Sequence, residues 1–198
     1  MGWNMEQTVV RQGMALDEYI RRMDEAPFEI INGEIILVSP SIAESGDIAW
    51  IFMNLLFPVV TSNRLGSLFV ESTFVLPGPD NSKWVTGSRK PDLMLFSGER
   101  YPDYKLANPG WRKRPVALVP DLVVEIVSPT DRMVNVLKKI ALYLEDGVQV
   151  VWVVDPERQI VMVYTPTAIP FILSGDQILT GGELLPGFST PVHVLFED

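Results

Sequence analysis

Residues 120–129 read PDLVVEIVSP, a run of branched apolar residues that a single glutamate, Glu125, interrupts. A nearly continuous apolar run of this length is typical of a strand that is buried on both faces of a sheet. A buried carboxylate without a partner is either strongly destabilising or becomes protonated. We therefore expect a strand here and a cationic partner for Glu125.

The composition limits both the size of the protein and its chemistry. A chain of 198 residues has the length of one domain, so we predict a single domain over residues 1–198. The sequence contains no cysteine and one histidine, His193. Thiolate nucleophiles and Cys-ligated zinc are thereby excluded, and a Ser-His-Asp triad is disfavoured. Any catalysis must depend on carboxylates, lysine, tyrosine or a bound metal.

Charge and apolar patterning indicate the environment of the protein. The net charge of −9 argues against a protein that coats nucleic acid non-specifically. Arg112-Lys113-Arg114 form a basic cluster, preceded by Arg100 and Lys105, which we expect to lie beside the functional site. The longest apolar stretch, residues 48–60, is too short for a membrane span. Residues 1–22 do not read as a signal peptide, so we expect a cytoplasmic protein without membrane contact.

Periodicity and turn residues divide the chain into helices and strands. We predict helices over residues 16–25, 42–60 (ending or kinking near Pro58) and 131–146 (stopping at Gly147). We predict strands over residues 28–31 and 34–38 around the turn Asn32-Gly33, and over residues 67–76, 91–96, 121–127, 149–154 and 159–164. Residues 97–115 read as a long loop, Ser128 as the N-cap of the last helix, and residues 165–198 as short strands that include His193. This order predicts an α/β domain with a mixed sheet.

Two acidic residues and a lysine lie at positions in the predicted strands and helix that are typical of a catalytic site. Asp92 follows Pro91 at the start of one strand, Glu125 interrupts the next, and Lys138 and Lys139 lie on the helix that follows. Two carboxylates at strand ends with a nearby lysine are the working parts of a metal-dependent phosphodiesterase site. Helical periodicity does not choose between the two lysines, because each lies roughly 130° from the centre of the apolar face.

These residues, together with Glu34 in the hairpin, resemble the Uma-type family of bacterial restriction-endonuclease-like proteins. That family is part of the PD-(D/E)xK nuclease superfamily. The resemblance covers residues 16 to about 164 and rests on several short motifs in a fixed order. They are Ile31-Asn32-Gly33-Glu34, Arg89-Lys90-Pro91-Asp92, residues 120–129, Lys139, Tyr143, Gly147-Val148 and residues 152–156.

The resemblance implies both a fold and an activity. The fold is a restriction-endonuclease-like mixed β-sheet core flanked by helices, with an N-terminal helix and hairpin and C-terminal β-hairpins. Asp92 and Glu125 would bind a divalent cation, Mg²⁺ or Mn²⁺, through hard oxygen ligands. Lys139 would stabilise the charge that develops on the phosphate, and Glu34 would complete the acidic cluster. The substrate would be DNA, and the enzyme would act as a homodimer.

The sequence departs from the superfamily pattern in two places. Val127 stands where the Glu-x-Lys motif has its lysine, so the lysine must come from the helix. The resemblance favours Lys139, which lies one helical turn before Tyr143. Residues 44–47 replace a segment that often carries a histidine in relatives. These departures and the acidic net charge keep open a catalytically degenerate nuclease-fold domain with a binding or regulatory role. A carboxylate-based hydrolase of another substrate, such as a glycoside, is a third possibility.

Overall fold

The computed structural model describes residues 12–38, 43–78 and 83–197, which form an α/β structure. The helices are α1 (Leu16–Glu25), α2 (Ala43–Ser62), α3 (Arg100–Ala107) and α4 (Met133–Asp146), with 3₁₀ helices at Trp111–Lys113 and Val192–Phe196. The strands are β1 (Met14–Ala15), β2 (Phe28–Ile31), β3 (Glu34–Leu37), β4 (Gly66–Val70), β5 (Phe74–Val75), β6 (Trp84–Val85), β7 (Ser88–Arg89), β8 (Leu93–Ser97), β9 (Leu122–Ile126), β10 (Val150–Asp155), β11 (Ile160–Tyr164), β12 (Phe171–Ser174), β13 (Ile178–Gly181) and β14 (Leu185–Pro191).

A six-stranded mixed sheet forms the centre of the structure, in the order β12-β11-β10-β9-β8-β4. β9 and β10 are parallel and are connected through α4, whereas the other neighbouring pairs are antiparallel. The apolar run that precedes Glu125 forms β9, where Leu122, Val123 and Val124 are fully buried. The predicted fold class, a mixed sheet flanked by helices, is therefore confirmed.

The two faces of this sheet belong to different apolar clusters, because side chains alternate along each strand. Leu122, Val124 and Ile126 join the cluster that includes α2 and the C-terminal strands. Val123 points to the opposite face, where α3 and α4 pack. Glu125 lies two residues after Val123 on the same strand, so its side chain points to the same face, which α4 covers.

A second sheet has the order β3-β2-β7-β5 and contains the predicted hairpin. Asn32 and Gly33 have φ angles of 51° and 83°, which is the conformation that an Asn-Gly turn between two strands favours. Helix α1 packs Leu16 and Tyr19 against this sheet, and the Tyr19 ring meets Phe28 edge-on at 5.2 Å between centroids. The predictions for α1 and for the hairpin are confirmed.

The sequence predicts that this helix ends or kinks near Pro58; α2 continues past Pro58 to Ser62, so it does not end there. Proline removes one helical hydrogen bond, but Val60 beyond it is buried in the core and helps to keep the last turn in place. The predicted first residue, Ile42, lies outside the described residues. Residues Ser45–Ser62 are long and apolar enough to cross a membrane by length and composition alone. Phe52 and Leu56 of α2 lie fully in the core, but only 28% of this apolar window is buried.

Residues 97–115 are not a long loop, because α3 and a 3₁₀ helix form within them. Aromatic packing explains α3: the Tyr101 ring lies 4.8 Å from Phe69 and 5.6 Å from Phe96, between centroids. Pro102 is in the first turn of the helix, where a missing N–H costs little. Local sequence rules miss this helix because its partners lie on β4 and β8.

Three smaller expectations also differ from the structure. The predicted strand over residues 67–76 is divided at Glu71, whose φ of 49° directs β4 into the central sheet and β5 into the second sheet. Ser128 is not an N-cap, because α4 begins at Met133 with Arg132 in the cap position. Instead, the Ser128 N–H donates to Asp131. His193 lies in a 3₁₀ helix rather than in a strand.

Asp121 is a buried structural acid at the N-terminal end of β9. Its carboxylate accepts hydrogen bonds from the Ser97 N–H at 2.7 Å, the Ser97 hydroxyl at 2.8 Å and the Gln149 amide at 2.6 Å. It also pairs with Arg100 at 2.5 Å. Burial alone would raise the pKa of Asp121, but the donors from Arg100 and Ser97 outweigh it and lower the pKa. Asp121 thus holds β8, α3 and the start of β10 together.

We expect Asp121→Ala to lower the free energy of unfolding by about 1–3 kcal/mol, because it removes the acceptor of the Ser97 N–H and hydroxyl and the partner of Arg100. Urea unfolding at pH 7 measures the change. In the wild type, the stabilisation by the Asp121 carboxylate should be present above pH 4. It should decline as the pH falls through the lowered pKa of Asp121, since protonation removes the acceptor. A loss below 1 kcal/mol at pH 7 would contradict this role.

Candidate active site

Asp92 and Glu125 come together at the C-terminal end of β9. In the antiparallel pair of β8 and β9, Leu93 lies opposite Val124, so one further step in the register sets Asp92 opposite Glu125. Residues directly opposite each other in such a pair point to the same face. The Asp92 Oδ2 accepts a 2.6 Å hydrogen bond from the Ile126 N–H, which fixes its carboxylate beside Glu125.

Lys139 reaches Glu125 from α4. Its Nζ lies 2.9 Å from Glu125 Oε2, and the Tyr143 hydroxyl donates to Glu125 Oε1 at 2.5 Å. Lys139 and Tyr143 are one helical turn apart and therefore share a face of α4. Lys138 is exposed on the neighbouring flank. The structure thus places Lys139, rather than Lys138, against Glu125, and Glu125 has the cationic partner that its burial requires.

The third acid of this group is Glu29 rather than Glu34. Glu29 lies on β2, is 5% exposed, accepts the Lys90 backbone N–H at 2.7 Å and lies 3.6 Å from the Lys139 Nζ. Glu34 lies on the same face of the hairpin but beside the turn, where it is exposed and does not line the cleft. The sequence carries a signal for Glu29 that resembles the signal for Glu125, namely a single acid inside an apolar strand.

A buried ion pair connects the hairpin to α4. Arg89 on β7 is 3% exposed, its Nε lies 3.0 Å from Asp146 Oδ2, and its NH1 donates to the Ile30 carbonyl at 2.9 Å. Asp146 is the last residue of α4, and Ile30 follows Glu29 on β2. This contact therefore holds the strand that carries Glu29 against the helix that carries Lys139.

The cluster carries more negative than positive charge in a buried setting. Burial, with the nearby Asp92 and Glu29 carboxylates, raises the pKa of Glu125 to about 7, although Lys139 and Tyr143 oppose the shift. Burial also raises the pKa of Asp92. For Lys139, burial would lower the pKa, but Glu125, Glu29 and Asp92 outweigh it and raise the pKa. Lys139 is therefore a permanent cation among acids that are costly to ionise.

The acidic group opens into a cleft of about 780 Å³. Glu29, Asp92, Glu125 and Lys139 line its polar end. The hairpin residues Ile36 and Leu37, which are 44% and 71% exposed, line an apolar side. Lys90, which pairs with Glu71, also lines it. Of the altered segment at residues 44–47, the side chain of Glu44 lies outside the described residues, whereas Ser45 is buried and lines the cleft.

The donor set is suited to a hard divalent cation. Among the described residues, no three His, Cys, Asp or Glu side chains are grouped as a metal site. Magnesium nevertheless binds through one or two carboxylates and keeps several of its waters. Asp92 and Glu125 offer two carboxylates that face the same cleft, and an added cation would offset the charge that raises their pKa values. The residues present therefore fit Mg²⁺ or Mn²⁺.

The basic cluster does not lie beside these acids. Asp92 directly precedes β8, whereas α3, which carries Arg100 and Lys105, follows the other end of this strand. A five-residue strand spans about 17 Å. None of the five basic residues of this region lines the cleft. The expectation that they flank the site is therefore wrong.

In metal-free protein, we expect the free energy of unfolding to be about 1 kcal/mol higher at pH 6 than at pH 8. The folded protein holds the Glu125 proton below about pH 7, whereas an unfolded glutamate releases it near its ordinary pKa of 4.5. The folded state thus binds more protons over this range, and stability falls as pH rises. Urea unfolding in EDTA measures the difference, which should disappear in Glu125→Gln. An equal pH dependence in that variant would assign the effect to another group.

Comparisons with known proteins identify the family and the fold. A family model described as "Uma2: Putative restriction endonuclease" matches residues 16–193. The crystal structure of "a putative nuclease belonging to DUF820" from Anabaena variabilis is similar with a TM-score of 0.74 and 23% sequence identity, over 92% of this chain and 97% of that chain. That likeness concerns the fold. No curated protein matches the chain. Because the family model spans most of its length, the chain belongs to the Uma2 family of restriction-endonuclease-like proteins.

Proposed function

We propose that the protein is a metal-dependent endonuclease that hydrolyses phosphodiester bonds in DNA. The observation that supports this proposal most directly is the convergence of Asp92, Glu125 and Lys139 at one end of an accessible cleft. Family membership supports nuclease activity in general. The hard oxygen donors and the fixed ammonium group support the metal-dependent form of it.

Each residue has a distinct part in this proposal. Asp92 and Glu125 would hold Mg²⁺ or Mn²⁺, which when bound supplies positive charge to the phosphate and lowers the pKa of a water molecule. Lys139 presents its ammonium group beside the same carboxylates, where it can stabilise charge on a phosphate oxygen. Tyr143 and Glu29 position Glu125 and Lys139 by direct contact. We propose no part for Glu34 in the chemistry, since it is exposed outside the cleft.

One observation favours the alternative of a catalytically degenerate binding domain. Both oxygens of Glu125 are engaged, Oε1 by Tyr143 and Oε2 by Lys139. A cation must therefore compete with these two donors for the carboxylate. If the competition fails, the fold could bind nucleic acid without cleaving it.

A cleavage assay separates the two functions. The purified protein is incubated with plasmid, linear duplex and single-stranded DNA, and with RNA, in Mg²⁺, Mn²⁺ or EDTA. The proposal expects internal cuts in DNA that require the cation and that are lost in Asp92→Asn. Binding of DNA with no cleavage in either cation would support the degenerate domain, and cleavage of RNA alone would correct the substrate.

We further propose that two copies associate as a homodimer in the cytoplasm, through β12. In the described part of the chain this strand pairs with β11 alone, and its Phe171 and Ile172 are 50% and 58% exposed. An apolar edge strand without charged residues readily pairs with a second strand. Light scattering should give twice the chain mass for the wild type and the monomer mass for Ile172→Lys. A monomeric wild type at micromolar concentration would contradict the dimer.

A further inference from the structure

A second cavity, of about 510 Å³, borders the active-site cleft. The two share Val127, Ser128 and Asp131 as lining residues, so they adjoin each other near the start of α4. The chemistry proposed above uses only the first cavity. The second is therefore available to another part of the substrate.

The sheet register places this cavity close to the catalytic acids. Val153 on β10 pairs with Glu125 on one side and with Met162 on the other. These three residues thus form one row across the sheet, and Met162 lies about 10 Å from Glu125, two strand spacings away. Met162 lines the second cavity. A nucleotide next to a phosphate held at Glu125 can reach across this distance.

The floor of the cavity is apolar and adaptable. Met133 and Leu137 contribute from α4, and Ile160, Met162 and Tyr164 contribute from β11. Met133 and Leu137 are 38% and 48% exposed, which is unusual for large apolar side chains beside a cleft unless a ligand covers them. Thioether and aromatic side chains pack well against flat rings.

The rim of the cavity disfavours an anion. Asp131, Asp155 and Glu157 contribute carboxylates, and the one cation among its lining residues, Arg158, is already paired with Asp155 at 2.7 Å. A phosphate would be repelled by this surplus of negative charge. A neutral ring with hydrogen-bonding edges would not be repelled.

We propose that this cavity receives an unstacked nucleobase from the strand whose phosphate lies at Asp92 and Glu125. The proposal rests on the proposed nuclease function and extends it to the choice of substrate. Extruding a base is costly in a fully paired duplex and cheap where the base is mismatched or single-stranded. The protein therefore prefers DNA with an unpaired base near the cleavage position.

The test uses two tryptophan variants on the same helix. Leu137→Trp fills the cavity. Val134→Trp is the matched control, because Val134 is 49% exposed on α4 but lines neither cavity. Binding is measured with Ca²⁺ in place of Mg²⁺, so that a cation offsets the carboxylates at Asp92 and Glu125, with oligonucleotides that carry 2-aminopurine either unpaired in a bulge or fully paired, and gel analysis checks that no strand is cut. The fluorescence of 2-aminopurine reports whether the base has left its stack.

We expect the wild type and Val134→Trp to bind the bulged oligonucleotide at least about tenfold more tightly than the paired one. In Leu137→Trp this ratio should fall to near 1, while affinity for the paired duplex stays the same. An undiminished ratio in Leu137→Trp, or no preference in the wild type, overturns the proposal. Failure of the nuclease function is recognised separately, as the absence of metal-dependent cleavage of any substrate by the wild type.

Discussion

Replacing Lys139 by methionine is expected to lower the rate of DNA cleavage by about 10²- to 10³-fold, the usual effect of removing one fixed donor from a developing oxyanion. Methionine keeps the apolar part of the side chain, so packing on α4 should change little. Val127, two residues after Glu125, supplies no second ammonium group, and Lys90, which also lines the cleft, is paired with Glu71.

Lys138→Met is the matched control, since Lys138 is the adjacent residue, is exposed and lines the same cleft, whereas the ion pairs with Glu125 and Glu29 belong to Lys139. It should retain cleavage within about threefold of the wild type. Initial rates at saturating Mg²⁺ and circular dichroism on both variants separate a chemical effect from a folding defect. Equal losses in the two lysine variants would contradict the assignment of Lys139, and so would an active Lys139→Met.

Asp92→Asn is expected to abolish measurable binding of Mn²⁺. The variant keeps the size of the side chain and an acceptor for the Ile126 N–H, but it loses the negative charge that a hard cation requires. Isothermal titration calorimetry with Mn²⁺ measures the affinity directly, without depending on cleavage. The metal-free variant should be at least as stable as the wild type, because burial makes the ionised Asp92 unfavourable.

Asp121→Asn is a well-matched control for this variant. Both aspartates follow a proline at the start of a strand, and both carboxylates are held by backbone N–H groups. Asp121 lies at the other end of β9, so its variant should lose stability and keep Mn²⁺ affinity. Titrations are made at a temperature at which both proteins are folded. Retained Mn²⁺ binding in Asp92→Asn would remove the basis for a cation between Asp92 and Glu125.

The sequence alone was enough to predict Glu125 and the need for a cationic partner. The glutamate inside an apolar strand required a cation, and the structure supplies Lys139. Asp92 and Asp121 both follow a proline, and the resemblance favours Asp92. The antiparallel register of β8 and β9 gives the physical reason, because it sets Asp92 beside Glu125 and Asp121 at the opposite end of β9.

The rest of the site depends on contacts that local patterns do not carry. Glu29 and Glu34 are both acids of one hairpin, and their difference comes from how the hairpin docks near α4. The choice between Lys138 and Lys139 likewise needs the rotation of α4 about its axis. Helix α3 was missed because aromatic residues on distant strands stabilise it.

The buried contact between Arg89 and Asp146 has a consequence for cooperativity. Glu29 belongs to one sheet, Glu125 to the other, and Lys139 to the helix that covers the junction. The full acidic group therefore exists only while the two sheets are docked: if they separate, Glu29 leaves, whereas Asp92, Glu125 and Lys139 stay together on the central sheet and α4. A cation held by Asp92 and Glu125 would add its binding energy to the contact between β8 and β9, and not to the docking of the hairpin. The hairpin would then be free to separate without releasing the cation, and its departure would remove only the acid that helps to position Lys139.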